Sequence, residues 1–375
     1  MIFIVLFGIF LAYANGANDN FKGVATLLGS NTTTYKKALF WATLTTLAGS
    51  LTALVLAHGL ISSFSGRGLV PDSIMAMKSF SLSVVIASAL TVMVATKLGF
   101  PVSTTHALTG ALMGAGFFAS FNGVNISKLW NSFFLPLLVS PFIALAISLT
   151  LYPLFRFLRI QCGVEKETCI CIGNETIAIV QPGQTHEQAL AMVRVTELPT
   201  IHMGALPQCM EQYSGKVFGF RAKIVLDQFH FVSSGIVSFA RGLNDTPKIA
   251  AFLLLAHTVS TTVGILMVAI AIALGGILHA NQVADTVSNK ITSMNAGQGF
   301  TANLVTGLLV ILASQFGLPV STTHVSCGAL FGIGAVTHQA QWRNIFSIIL
   351  AWVITLPIAA GLGIVSFAIL KGLGV

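Results

Sequence analysis

Long apolar runs fill most of both ends of the chain, residues 1–152 and 224–375. A helix of about 20 apolar residues crosses the roughly 30 Å hydrocarbon core of a bilayer. A transmembrane β-barrel would instead alternate apolar and polar residues at every second position. The pattern therefore predicts an all-α polytopic membrane protein, whose surroundings are the lipid bilayer.

A polar segment separates the two apolar ends. Residues 153–223 contain thirteen charged residues and turn signals such as Gly173-Asn174 and Pro182-Gly183, which predict a water-exposed insert with a short strand over residues 176–180. The predicted domains are an N-terminal transmembrane repeat (1–152), a polar insert (153–223) and a C-terminal transmembrane repeat (224–375). Basic residues flank the insert on both sides. This pattern predicts a multi-pass plasma-membrane protein with a cytoplasmic insert and an external N-terminus.

Composition narrows the class further. Charged residues make up 8 % of the 375 residues and hydrophobic residues 55 %, whereas soluble domains carry about 25 % charged residues. The formal net charge of +8 comes from scattered basic residues, so no nucleic-acid partner is expected. The five cysteines form no paired CxxC frame, and we expect reduced thiols, no resident metal and no cofactor.

Two motifs occur once in each apolar half. Residues 16–22 (GANDNFK) return as residues 242–248 (GLNDTPK), and residues 99–106 (GFPVSTTH) return as residues 317–324 (GLPVSTTH). An odd number of crossings in each half would make the copies inverted repeats, an architecture common among secondary transporters. The glycines that follow the second motif in both halves predict close helix packing.

Each copy of the second motif interrupts an apolar region at a proline. The apolar stretches around Pro101 (84–98 and 107–120) and around Pro319 (302–316 and 325–336) are each shorter than a full crossing. Each pair therefore predicts a re-entrant helical hairpin with a polar turn inside the membrane. The alternative is one continuous helix with a proline kink.

The two polar turns carry the candidate anion-binding residues. A hydroxyl before a helix can cap it, and the free N–H groups of a helix start favour an anion. Two such starts facing each other would surround a tetrahedral oxyanion, although the hydroxyls could also serve only as caps. The candidates are Ser103, Thr104, Thr105, Ser321, Thr322 and Thr323.

The first motif carries the candidate cation-binding residues. Asp19 and Asp245 follow apolar segments, and acidic groups inside a membrane usually line ion paths. Asn18 and Asn244 add amide oxygens, which are hard ligands. The residues alone do not separate Na+ from H+, and helix capping at a membrane edge is the alternative. The nearby Lys22, Lys248 and Arg241 could neutralise the aspartates or contact the anion; surface positions are equally compatible with the sequence.

The duplicated GAND/GLND and PVSTTH motifs resemble those of the inorganic phosphate transporter (PiT) family, the sodium- or proton-coupled phosphate symporters. The resemblance covers both apolar halves. It implies a secondary active symporter that binds phosphate near the membrane midplane between the repeats, with Na+ as the coupling ion at Asp19 and Asp245. The alternative within the family is an H+-coupled phosphate or sulfate permease. A homo-oligomer is compatible with the sequence.

Two other classes compete with a symporter. An intramembrane hydrolase would use Ser103, His106 and Asp19 as nucleophile, base and orienting group. An enzyme needs only one nucleophile, however, and both copies of the motif are retained, so we expect no enzyme. A passive anion channel is the third class.

Overall fold

The computed structural model describes residues 2–56, 58–66, 68–165, 168–178, 193–195, 200–205, 213–255 and 259–374. The α-helices before the insert are α1 (Ile2–Asp19), α2 (Ala25–Gly29), α3 (Tyr35–Leu56), α4 (His58–Phe64), α5 (Asp72–Met75), α6 (Lys78–Lys97), α7 (Thr104–Ala119), α8 (Ile126–Leu129) and α9 (Leu135–Gln161). Those after it are α10 (Ala222–Leu254), α11 (Thr261–His279), α12 (Asn281–Asn289), α13 (Ala296–Gln315), α14 (Thr322–Thr337) and α15 (Trp342–Gly372). Short 3-10 turns cover Asn20–Gly23 and Phe121–Gly123, and a π-helical segment covers Trp130–Phe134.

Seven helical segments in the described part of the chain are long and apolar enough to cross a bilayer. They are Ile2–Gly23, Tyr35–Leu56, Lys78–Lys97, Ile126–Gln161, Thr261–His279, Ala296–Gln315 and Trp342–Gly372. The predicted polytopic helical membrane protein is thereby confirmed.

Both prolines of the second motif lie in a turn between two helices. Helix α6 ends at Lys97 and α7 begins at Thr104, and α13 and α14 are separated in the same way. Gly99 and Gly317 have φ of +74° and +66°, the left-handed conformation that ends helices and favours glycine. The alternative of a continuous kinked helix is therefore wrong.

The first arm of each hairpin is longer than predicted. Helices α6 and α13 have 20 residues each and begin six residues before the predicted starts at 84 and 302. The serines at the start of α6 interrupt the apolar pattern, yet Ser83 satisfies its hydroxyl by donating to the Phe80 carbonyl at 2.7 Å. At the start of α13, Asn295 and Gln298 form a capping box. Polar residues that bond to their own helix thus extend it beyond the apolar run.

Equivalent helices of the two halves pack in reciprocal pairs. Helix α1 contacts α11 where Gly16 meets the backbone of Ile272, and α3 contacts α10 where Gly242 meets the backbone of Thr46. Gly242 lies 226 positions after Gly16, and Ile272 lies 226 positions after Thr46. The same contact is therefore made twice, with the two halves exchanged. This reciprocity is what two repeats related by a pseudo-twofold axis produce.

The glycines after the second motif make a second reciprocal pair. Gly114 in α7 meets the backbone of Ala360 in α15, and Gly332 in α14 meets Leu145 in α9. A side chain at Gly114 would collide with helix backbone, which cannot move aside as a flexible side chain can. Their predicted role in close helix packing is confirmed.

The insert forms a compact unit of its own, Pro153–Phe229. Its strands are β1 (Thr168–Ala178), β2 (Val193–Val195), β3 (Thr200–Ala205) and β4 (Tyr213–Arg221). Strand β1 pairs antiparallel with each of the other three. The predicted strand therefore begins eight residues earlier than expected, and residues 179–180 lie outside the described residues.

Cysteines of the insert depart from the sequence expectation. Cys169 and Cys171 lie on either side of the exposed Ile170 on β1 and are both buried. Cys171 is disulfide-bonded, so the expectation of thiols alone is wrong there. Disulfides are typical of oxidising compartments, whereas the flanking basic residues predict the cytoplasmic side; the orientation stays a prediction.

Candidate functional site

The two polar turns contact each other inside the helical unit. The Thr323 hydroxyl donates to the Val102 carbonyl at 3.1 Å, and the Thr105 hydroxyl lies 3.4 Å from the Val320 carbonyl. The rings of His106 and His324 meet edge to face, with 4.2 Å between their centroids. The predicted juxtaposition of the turns is confirmed. The N-terminus of α7 and the N-terminus of α14 lie where the two turns meet.

Both serines of the turns cap the helices that follow. The Ser103 hydroxyl accepts from the backbone N–H of His106 at 3.1 Å, and Ser321 accepts from that of His324 at 3.2 Å. Capping is therefore one role of these serines. Their predicted role in phosphate binding stays a prediction.

The threonines join the turns to the first motif. Thr104 donates to Asp19 Oδ2 at 3.2 Å. Thr322 accepts from the Asn244 amide at 3.2 Å, while Thr105 and Thr323 accept from lysine ammonium groups. The predicted anion-binding and cation-binding residues thus form one hydrogen-bonded network. We call it the polar cluster, comprising Asn15, Asn18, Asp19, Lys22, Thr104, Thr105, Arg241, Asn244, Asp245, Lys248, Thr322 and Thr323.

Asn18 and Asn244 tie the first motif to the turn of the same half. The Asn18 amide donates to Thr96 Oγ1 at 2.9 Å and to the Phe100 carbonyl at 3.0 Å. The Asn244 amide oxygen accepts from Ser314 at 3.3 Å. Thr96 and Ser314 occupy equivalent positions of the two repeats, so the asparagines hold equivalent places in the fold.

Each aspartate of the first motif is paired with a lysine three residues later. Lys22 forms a buried ion pair with Asp19, and Lys248 Nζ lies 3.6 Å from Asp245 Oδ1. The side chains of both pairs are at most 6 % exposed. The neutralising role considered for the lysines is confirmed, and their surface alternative is wrong.

Asn15 is a central residue that the sequence reasoning missed. Its Nδ2 lies 2.8 Å from Asp19 Oδ2, 3.2 Å from Asp245 Oδ2 and 2.9 Å from Thr104 Oγ1. It therefore links the two carboxylates, which come from opposite halves of the chain. Its spacing of four residues before Asp19 places both on one face of α1, which is the signal that could have found it.

Arg241 takes the position equivalent to Asn15 in the second half, 226 residues later, so the repeats differ at this point. Its guanidinium donates to Asn20 Oδ1 at 3.1 Å and to Thr46 Oγ1 at 3.2 Å. The side chain is buried, and its Nε has no hydrogen-bond partner in the described part of the chain. The guanidinium is thus buried, and its Nε–H is left without an acceptor among the described residues.

The polar cluster holds more cationic than acidic side chains. Its ionisable members are two carboxylates (Asp19, Asp245) and three cationic groups (Lys22, Lys248, Arg241), all 5 % exposed or less. With every group ionised, the cluster carries a net charge of +1. Burying an uncompensated charge is costly. The cluster therefore favours one further negative charge beside its hydroxyl and ammonium donors.

A sequence profile described as the phosphate transporter family matches residues 15–363. The chain belongs to this family. The match includes both copies of each motif and every member of the polar cluster. Members of this family are transporters and not enzymes. The geometry of Ser103 and His106, the nucleophile and base of the hydrolase alternative, agrees with this. The His106 ring faces the Trp352 carbonyl at 3.4 Å, while Ser103 Oγ accepts from the His106 backbone.

Individual relatives extend the likeness across the whole chain. A candidate phosphate permease of Haemophilus influenzae is 27 % identical and covers 98 % of this chain and 95 % of its own length. The chloroplastic inorganic phosphate transporter 2-1 of Arabidopsis thaliana is 24 % identical over 96 % of this chain and 70 % of its own. A solved structure titled "The sodium-dependent phosphate transporter" shares the fold, with a TM-score of 0.70, 24 % identity and 99 % of both chains covered.

Proposed function

We propose that this protein is a secondary active symporter that carries inorganic phosphate across the plasma membrane. The observation that carries the proposal is the polar cluster. Two helix N-termini meet there, beside hydroxyl donors, two lysine side chains and one arginine. Tetrahedral oxyanions are bound by such donors and by helix starts.

Phosphate would bind where the two turns meet. Backbone N–H groups of α7 and α14 and the hydroxyls of the two triplets are the proposed donors. In the described conformation Thr105 and Thr323 accept from Lys248 and Lys22 at 2.9 and 2.8 Å. An entering phosphate would accept from these same ammonium groups, and it would also accept from the two hydroxyls once they release the Val102 and Val320 carbonyls to which they donate. The contacts between the turns would then be exchanged for contacts to the anion.

The coupling cation is the finer part of the proposal. The first form of the proposal has Na+ at Asp19 and Asp245, helped by Asn18 and Asn244, because these residues supply hard oxygens and a sodium-dependent transporter shares the fold. A carboxylate repels an incoming anion until a cation offsets its charge, which would make the two solutes enter together. The second form is an H+-coupled phosphate or sulfate permease, favoured by the ammonium that each carboxylate already holds.

The proposed setting follows the sequence prediction. The protein would span the bilayer several times, with the N-terminus outside and the insert cytoplasmic, and it would be compatible with assembly as a homo-oligomer.

Transport into proteoliposomes tests the proposal. Radiolabelled phosphate uptake is measured with an imposed Na+ gradient, with an imposed pH gradient and with neither, and unlabelled sulfate is added as competitor. Phosphate uptake that follows one cation gradient and resists sulfate is the expected result. Uptake that ignores both gradients would identify a passive channel, and no phosphate uptake in any condition would refute the proposal.

A further inference from the structure

The Lys22 ammonium is surrounded by oxygen atoms of the predicted cation position. Nζ donates to Asn18 Oδ1 at 2.7 Å and to the Asp19 carboxylate in a short ion pair. It also donates to the Val102 carbonyl at 2.8 Å and to Thr323 Oγ1 at 2.8 Å. Amide, carboxylate, carbonyl and hydroxyl oxygens together are the set that a small hard cation would take.

The Lys248 ammonium repeats this arrangement in the second half. Nζ donates to the Val320 carbonyl at 2.7 Å and to Thr105 Oγ1 at 2.9 Å, and it lies 3.6 Å from the Asp245 carboxylate. As with Lys22, the carbonyl comes from the turn of its own half and the hydroxyl from the turn of the other half. The match shows that both ammonium groups have defined positions set by the repeat.

We propose that the Lys22 and Lys248 ammonium groups are tethered cations that fill the two positions predicted for Na+, so that this protein binds phosphate without bound Na+. The inference rests on the phosphate site of the proposed function and replaces only its sodium ions. The two lysines thereby become part of the binding machinery for phosphate.

At each aspartate the lysine ammonium competes with a sodium ion, and the ammonium is favoured. The ammonium is held on the same chain, three residues from the aspartate that it pairs with, so its effective concentration at that carboxylate is high. A sodium ion must displace it and leave a second positive charge in the same buried volume.

The charge balance points the same way. The cluster already sums to +1 with both lysines and Arg241 ionised, and two added sodium ions would raise it to +3. A monovalent or divalent phosphate brings the sum to 0 or −1 without any added cation. Since uncompensated buried charge is costly, monovalent phosphate alone, which brings the sum to 0, is accommodated better than the same anion with two sodium ions, which leaves +2. The unpartnered Nε of Arg241 adds a donor for the anion.

Equilibrium binding of radiolabelled phosphate tests this inference. Purified protein in detergent is titrated in choline chloride and in NaCl at equal ionic strength. For the unaltered protein we expect the same affinity in both salts, within about twofold. A sodium-dependent affinity of the unaltered protein in this measurement is enough to overturn the inference without any variant.

The Lys22→Asn variant should make the binding of phosphate dependent on Na+. Asparagine removes the ammonium, leaves room for an ion and adds an amide oxygen. In choline chloride its phosphate affinity is expected to fall roughly thirtyfold or more, the usual effect of removing one partner from a buried charged site. In NaCl it should recover. The matched control is Lys290→Asn, which removes the lysine of an exposed Lys–Asp pair with Asp285 and should leave binding unchanged in both salts.

The outcomes separate the inference from the proposed function. Sodium-dependent binding by the unaltered protein would overturn the inference and leave phosphate transport standing. Equal loss by Lys22→Asn in both salts would also overturn it, because the vacated position would then not accept Na+. Failure to bind phosphate in either salt would overturn both the inference and the proposed function.

Discussion

The buried pair of Asp19 and Lys22 provides the sharpest test of how the polar cluster is held together. Asp19→Asn keeps the size and shape of the side chain and removes its charge. Asp19 is 2 % exposed and Lys22 is 3 % exposed, so the ammonium would lose its counter-charge without gaining water. The Asn15 amide, 2.8 Å from Asp19 Oδ2, could also face a second amide donor.

The expected magnitude follows from this burial. Removing one partner of a buried ion pair costs about 3–5 kcal/mol, because the remaining charge is left uncompensated. For a domain of a few hundred residues each kcal/mol lowers the Tm by roughly 2–4 °C, so the decrease should be about 6–20 °C. The matched control is Asp285→Asn. Its pair with Lys290 has side chains 57 % and 52 % exposed, and exposed pairs contribute about 0–1 kcal/mol.

Thermal unfolding of purified protein in detergent measures the difference, and proteoliposome uptake is measured in parallel. We expect Asp19→Asn to fold with a lowered Tm and to lose cation-dependent phosphate uptake, while Asp285→Asn keeps both properties. Equal Tm shifts in the two variants would refute the reasoning that burial sets the strength of the pair. Full uptake by Asp19→Asn would refute a role for this carboxylate in transport.

Three further predictions concern the turns, the missed asparagine and the helix packing. Thr105→Val and Thr323→Val each remove a hydrogen bond to a lysine ammonium, so each should lower phosphate uptake roughly tenfold, to a similar degree in both halves; unequal losses would contradict the equivalence of the turns. Asn15→Leu removes the donor shared by both carboxylates and should lower the Tm and abolish uptake, whereas normal uptake would show that this link is dispensable. Gly16→Ala would force helix backbone apart at Ile272 and should reduce the yield of folded protein in size-exclusion chromatography. The control, Gly361→Ala, meets nothing within 4 Å and should stabilise by about 0.5–1 kcal/mol; equal behaviour of the two alanine variants would refute the close approach.

Sequence patterns anticipated the hairpins because their signals are local. Pro101 cannot continue a helix, and the serine two residues later starts the next one. Because the motif is duplicated, the same reasoning also predicted the second turn. The length of the first arm was underestimated because serines that bond to their own helix look like an interruption in an apolar pattern.

The members of the polar cluster were only partly predictable. The aspartates stand out because acidic residues are rare in this chain, and the threonines because their motif is duplicated; Lys22 and Lys248 were noticed beside them. The spacing of Asn15 to Asp19 was a local signal, but its link to Asp245, 230 positions away, could not be read from the sequence.

The sequence by itself determined a helical membrane protein with two related halves, two proline-containing turns and a short set of polar residues available for an anion and its counter-charges. These properties follow from apolar length, proline geometry and repetition, which are local or can be compared along the chain. Only the tertiary structure decided that the two turns touch, that Asn15 joins carboxylates from opposite halves and that each ammonium lies among the oxygens expected to hold a cation. Such contacts depend on how the helices of one half pack against those of the other, and that packing is fixed by many small steric fits at once.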